Sequence, residues 1–219
     1  MSYYDDPIQT EHYQGFRIDI LPDEDPPNPQ RDYEPFGVMV CFHGSYDLGS
    51  ADHGYSEGNY TGWQGLHDAI AADHPGAVIL PLALLDHSGI TMQVGSGAFM
   101  SDPGGWDSGS VGFIFASREE ARDAFGIAAM VSNATETALR AEVEEYDRYL
   151  RGEAYGFTVT AKGGERVGSC WGFSDVDDAL AEARATADCH LTWLDRELDD
   201  VRDVTKGIAL VALGGGGAS

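Results

Sequence analysis

Lysine is nearly missing from this chain. Only Lys162 and Lys206 occur, so the 13 basic residues are almost all arginine, and they face 37 acidic ones for a formal net charge of -24. A field this negative repels nucleic acid and anionic lipid, which excludes direct nucleic-acid binding and a membrane-surface partner as expectations. Long apolar runs are also absent, and nothing approaches the roughly 18 residues that a membrane-spanning helix needs. Cysteine is scarce: Cys41, Cys170 and Cys189, with no Cys-x-x-Cys, make neither a disulfide framework nor a zinc ribbon. Cys41 lies in an apolar run and reads as a small core residue. The first residues, Met1 to Asp6, are polar and acidic, unlike a secretory signal, so the expected location is the cytoplasm. Neither His-Glu-x-x-His, a calcium-loop pattern, Gly-x-Ser-x-Gly nor a phosphate-binding glycine loop with its lysine is found. No internal repeat is apparent.

What remains is enough for a folded core. The chain has 219 residues, 42% of them hydrophobic and 11% aromatic, which excludes full disorder and fits one domain. The expected organisation is a flexible arm over 1–14, a single domain over 15–204 and a flexible tail over 205–219. Three readings of the charge compete: salt adaptation, mimicry of nucleic acid, and a hard cation held by carboxylates. Salt adaptation is favoured because the acids are spread along the whole chain.

The central stretch runs from Leu80 to Ala116. Leu80–Leu85 and Ile90–Val94 read as strands joined by the tight polar turn Asp86-His87-Ser88-Gly89. A glycine-rich loop follows from Gly95 to Ser110, then a third apolar strand, Val111–Ala116. Upstream, Phe16–Leu21 alternates as a strand, and Pro22–Pro35 is an acidic, proline-rich loop. Gly37–His43 is apolar throughout and is expected to be central in its sheet. Trp63–Ala72 has helical spacing. Ser117-Arg-Glu-Glu120 is a capping box opening a short helix that stops near Gly126. Ser132–Leu150 is a long helix with Glu142, Glu144 and Glu145 on its expected solvated face. Tyr155–Ala161 and Arg166–Phe173 form a hairpin, and Ser174 with Asp177 caps a last helix reaching past Leu194. The expected class is α+β: a mostly antiparallel sheet of about five to seven strands, with two longer and two shorter helices packed on it.

Several segments together resemble a family of uncharacterised tailed-phage proteins. They are Asp23–Pro29, Gly37–His43 with Tyr46–Gly49, Leu80–Met92, Trp106–Phe115, Tyr146–Leu150 with Tyr155–Phe157, and Ser169–Phe173. They are scattered from about residue 16 to 190. Gly44-Ser45, Ser50, Ala83 and Leu85 depart from that family's pattern, chiefly around the loop after His43. With the acidic composition, the resemblance implies a virus or provirus of a halophilic archaeon, and no catalytic role comes with it.

The candidate chemistry lies at strand ends. His43, Asp86, His87 and Asp107 are expected to converge on one edge of a sheet, where histidine and carboxylate build either an acid–base pair or a divalent-metal site. No other cofactor is expected. The structural alternative is that the histidines are hydrogen-bonded turn residues and the aspartates cap loops. Asp86-His87-Ser88 is no relay, because neighbours along a strand point to opposite faces. Cys170 is the remaining candidate nucleophile, with burial beside Trp171 as its structural reading. Tyr46, Trp106 and Trp171 are the candidate binding aromatics, and Tyr55, Tyr60 and Trp63 also sit at loop ends. The sequence leaves open whether this is an enzyme. The favoured expectation is an intracellular viral accessory factor that binds a host or viral protein, for counter-defence or host takeover. A metal-assisted hydrolase using the His/Asp cluster is the alternative, and a virion component the third. Oligomeric state is not legible.

Overall fold

The computed structural model describes residues 6–97, 99–126 and 131–214. Its strands are β1 (Gln9–Tyr13), β2 (Phe16–Pro22), β3 (Val38–Cys41), β4 (Val78–Asp86), β5 (Ile90–Val94), β6 (Ser108–Ala116), β7 (Tyr155–Thr160) and β8 (Arg166–Phe173). Its helices are α1 (Gly62–Asp73), α2 (Arg118–Phe125), α3 (Val131–Leu150) and α4 (Val176–Gly214). The class is α+β, with every strand pair antiparallel and two longer and two shorter helices. The strands divide into two four-stranded sheets, β1-β2-β7-β8 and β3-β6-β4-β5. Where the sequence suggests one domain over 15–204, the chain's contacts gather in two compact units, one of 25–154 and one of the residues before and after it.

In the unit of 25–154, period-two alternation sends side chains to both faces of the sheet, and both faces are covered. Met39, Leu82, Leu84 and Ile114 pack with Leu139, Val143 and Tyr146 of α3. Val40, Phe113 and Phe115 pack on the other face with Leu66 and Ile70 of α1. This two-sided burial explains why β3 is apolar throughout although it is an edge strand, correcting the expected central position. A continuous apolar run reports covered faces, not neighbours on both edges. The free edge of β3 is closed by Ser50: Met39 N–H donates to Ser50 Oγ at 3.0 Å, and Ser50 N–H donates to the Met39 carbonyl at 2.9 Å.

Glu142 corrects a second expectation. It is half-buried, and its carboxylate accepts from the Phe36 and Gly37 amides instead of facing solvent. The short helix α2 does have its capping box, with Glu120 N–H donating to Ser117 Oγ at 3.2 Å and Ser117 N–H donating to Glu120 Oε2 at 2.8 Å.

In the other unit, Phe16, Ile18, Ile20, Phe157 and Val159 pack against Ala179, Leu180, Ala183 and Ala187 of α4. Within the expected N-terminal arm, residues 9–13 form β1, in register with β2 from Gln9↔Ile20 to Tyr13↔Phe16. The turn between them is Gln14-Gly15, both at positive φ, which matches the right-handed twist of a two-residue hairpin. β1 is polar and largely exposed, so pairing and not burial defines it, and hydropathy gives no sign of it. The cap of α4 is Asp175, which accepts from the Asp177 and Asp178 amides at 2.7 and 3.3 Å; Ser174 and Asp177 do not supply it. The helix continues to Gly214, into the expected tail, while Gly215 to Ser219 lie outside the described residues.

Candidate functional site

Antiparallel pairing reverses direction at each step across β3, β6 and β4. The C-terminal ends of β3 and β4 therefore meet the N-terminal end of β6 on one rim of the sheet. A cleft of about 360 Å³ opens there, lined by His43, Leu84, Asp86, Trp106 and Asp107 among others. Three of the four expected polar residues thus face one cleft. The fourth, His87, joins through its ring: Nδ1 lies 3.0 Å from Asp107 Oδ2. The backbones are tied as well, with Asp86 N–H donating to the Asp107 carbonyl at 2.8 Å.

Each side chain has a local reason for its place. The turn after β4 carries Ser88 at φ +59°, and His87 N–H donates to the Gly89 carbonyl, which swings the imidazole out of the strand line. His43 Nδ1 accepts from the Ser45 amide at 3.2 Å, so a neutral ring carries its proton on Nε2. Its ring stacks on Tyr46 with centroids 5.0 Å apart. The Tyr46 hydroxyl donates to Asp86 Oδ1 at 3.3 Å, and the nearby Asp86 charge raises the phenol above its usual range.

Asp102 organises the loop before β6, a role the sequence reading missed. Its carboxylate accepts from Trp106 N–H at 3.2 Å, Asp107 N–H at 2.9 Å and Ser108 Oγ at 2.8 Å. The Asp107 amide, then the Ser108 hydroxyl, hold it below the usual carboxylate range. An Asp followed by Pro-Gly-Gly is the available signal, since aspartate bonding backbone amides a few residues on is a common loop device. Ser108 is engaged with this carboxylate and does not present a free hydroxyl.

The loop holds one aromatic outward. Trp106 is 90% exposed, and its indole lies over Gly104, where a Cβ would come within 2.5 Å of the ring. Met100 on the same loop is 100% exposed. Of the other loop aromatics, Tyr55 and Tyr60 pack against the α1 side of the core.

His87 and Asp107 are mainly exposed, which suits exchange with solvent or a partner more than a dry catalytic centre. Among the described residues no group of three or more His, Cys, Asp or Glu side chains is placed to hold a metal ion. Cys170 and Trp171 belong to β8, in the other unit. Cys170 is exposed, which corrects its buried reading: it lies opposite Phe157 on an edge strand, where the sheet offers a neighbour on one side only. Trp171 is half-exposed and lies flat over Gly156 of β7, where a Cβ would come within 2.0 Å of its ring. A glycine opposite an aromatic is a known sheet-stabilising pairing, which gives Trp171 a structural task.

No helix among the described residues is long and apolar enough to cross a membrane. Comparison with protein-family models, curated proteins and solved structures finds no match to this chain.

Proposed function

We propose that this protein is a viral or proviral accessory factor that binds a host or viral protein inside the host cell, with the rim of the β3-β6-β4-β5 sheet as its docking surface. The observation that carries this reading is Trp106, an indole left 90% exposed on a loop whose backbone Asp102 pins in place. Aromatic anchors with little conformational freedom left to lose are the side chains that dominate protein interfaces. Met100, fully exposed on the same loop, is a second, adaptable apolar contact, and Tyr46 stacks on His43 of the cleft lining. The net charge of -24 favours a partner with a basic surface.

Affinity purification with tagged wild type and tagged Trp106→Ala tests the proposal. A stoichiometric partner retained by the wild type and lost by the variant supports it. Absence of any stoichiometric partner removes its basis.

A second reading draws on the 3.0 Å contact between His87 Nδ1 and Asp107 Oδ2, which would orient an imidazole as a general base through one of the residues that line the cleft with His43 and Asp86. Hydrolysis of a substrate panel that is lost in His87→Ala, and preserved in Trp106→Ala, would favour it over docking.

The acidic surface is read as salt adaptation. Unfolding midpoints that climb between dilute and molar KCl support this, and midpoints independent of salt contradict it.

A further inference from the structure

Helix α4 outruns the sheet that supports it. Its 39 residues span about 58 Å at the usual helical rise. Burial against β2 and β7 uses Ala179, Leu180, Ala183 and Ala187, with Leu191 partly covered. From Thr192 onward every described side chain is exposed.

This free segment is nonetheless patterned. Leu191, Leu194, Leu198 and Val201 follow one another at steps of three, four and three residues, and Thr205 comes four later. Leu194, Leu198 and Val201 are 37%, 54% and 60% exposed. An apolar stripe with 3-4 spacing on a helical segment left uncovered by the described residues has the pattern of a coiled-coil seam, and a helical segment alone in water is marginal.

We infer that α4 pairs with α4 of a second copy of this chain, as a parallel two-stranded coiled coil over roughly Leu191 to Thr205. The occupant is argued from the charges flanking the seam. With Leu191, Leu198 and Thr205 at one core position and Leu194 and Val201 at the other, Glu197 and Arg202 fall on the flanking positions that meet across a parallel pair. Glu197 of each copy faces Arg202 of the other, so the twofold axis repeats the attraction. Asp195 likewise faces His190. Within one helix Arg202 pairs with Asp199 at 3.2 Å, both exposed, and Glu197 has no basic partner among the described residues. The seam is short and ends in a threonine, so the pairing is concentration-dependent.

This inference does not depend on the rim cleft. Light scattering on the full chain, over a ~100-fold range of concentration, reads it. The expected mass rises from the 23.5 kDa of one chain towards twice that value. Leu198→Asp, at a side chain 54% exposed and outside any core cluster, is expected to weaken association at least ~100-fold with no loss of folded signal. Glu197→Arg and Arg202→Glu singly are each expected to weaken it about 10-fold, and the double variant to restore it. In a Cys170→Ser, Cys189→Ser background, Leu194→Cys is expected to oxidise to a disulfide-linked dimer. A monomer at every concentration, a dimer indifferent to Leu198→Asp, a double swap without rescue, or no Leu194→Cys crosslink overturns the inference.

Discussion

His87 Nδ1 and Asp107 Oδ2 meet at 3.0 Å across the mouth of the rim cleft, one from the turn after β4 and the other from the residue before β6. Both side chains are about half exposed or more, so the contact is screened and holds little of the fold together. Alanine at either position is expected to change stability by less than about 1 kcal/mol, with a coupling in the double variant no larger. Denaturant unfolding of the four forms measures it. A larger coupling would make the pair a structural clasp instead of a group free for function.

Asp102 is expected to matter more to the loop than any of the residues on the rim. Asp102→Ala removes the acceptor for Trp106 N–H, Asp107 N–H and Ser108 Oγ together. Amide exchange across residues 99–107 should accelerate, while protection in β3 and α3 stays unchanged. Its carboxylate is held below the usual range, so its contribution is present above the unfolded carboxylate value and fades only as pH falls through the lowered one. Loop order in the wild type is therefore expected to survive mild acid, and loss of order near neutral pH would contradict this role.

Glu142 titrates in the opposite sense. Burial raises its carboxyl above the usual 4.5, against the pull of the Gly37 and Phe36 amides. The folded state then binds the proton more tightly than the unfolded chain. Its contribution is greatest below the unfolded value and declines as pH rises through the raised one. Wild-type stability relative to Glu142→Gln is expected to fall as pH rises from below the usual carboxylate value through the raised one. Glu142→Ala leaves two amides without their acceptor and is expected to cost about 2 kcal/mol.

Thiol chemistry separates the cysteines. Burial pushes Cys41 up to about 12, so it carries almost no thiolate at neutral pH. Cys170 and Cys189 are exposed. Native alkylation followed by mass spectrometry is expected to label Cys170 and Cys189 and to spare Cys41 until the protein unfolds. Early labelling of Cys41 would show that β3 opens without global unfolding.

Most of the secondary structure was legible because its signals are local. Ser117 and Glu120 announce their own cap, and Leu139, Val143 and Tyr146 mark one face of α3 by spacing alone. β1 was not, since Gln9 to Tyr13 is polar and defined by a partner strand. The edge position of β3 was hidden for the opposite reason. Two covered faces make Val38 to Cys41 read as central, and the residue that closes its edge, Ser50, carries no pattern.

The rim followed from topology. Once β3, β6 and β4 are antiparallel neighbours, His43, Asp86 and Asp107 fall on one edge by their positions in the chain. Asp102 and Glu142 were missed because each acts on backbone amides brought near only by folding.

The docking account is tested most directly by the affinity of the purified partner for wild type and for Trp106→Ala, measured by calorimetry alongside thermal unfolding of both. An anchor of this kind is expected to carry at least about 2 kcal/mol, a loss of roughly 30-fold or more in affinity, with the unfolding midpoint unmoved. Equal affinity for the two proteins would show that the rim is not the docking surface.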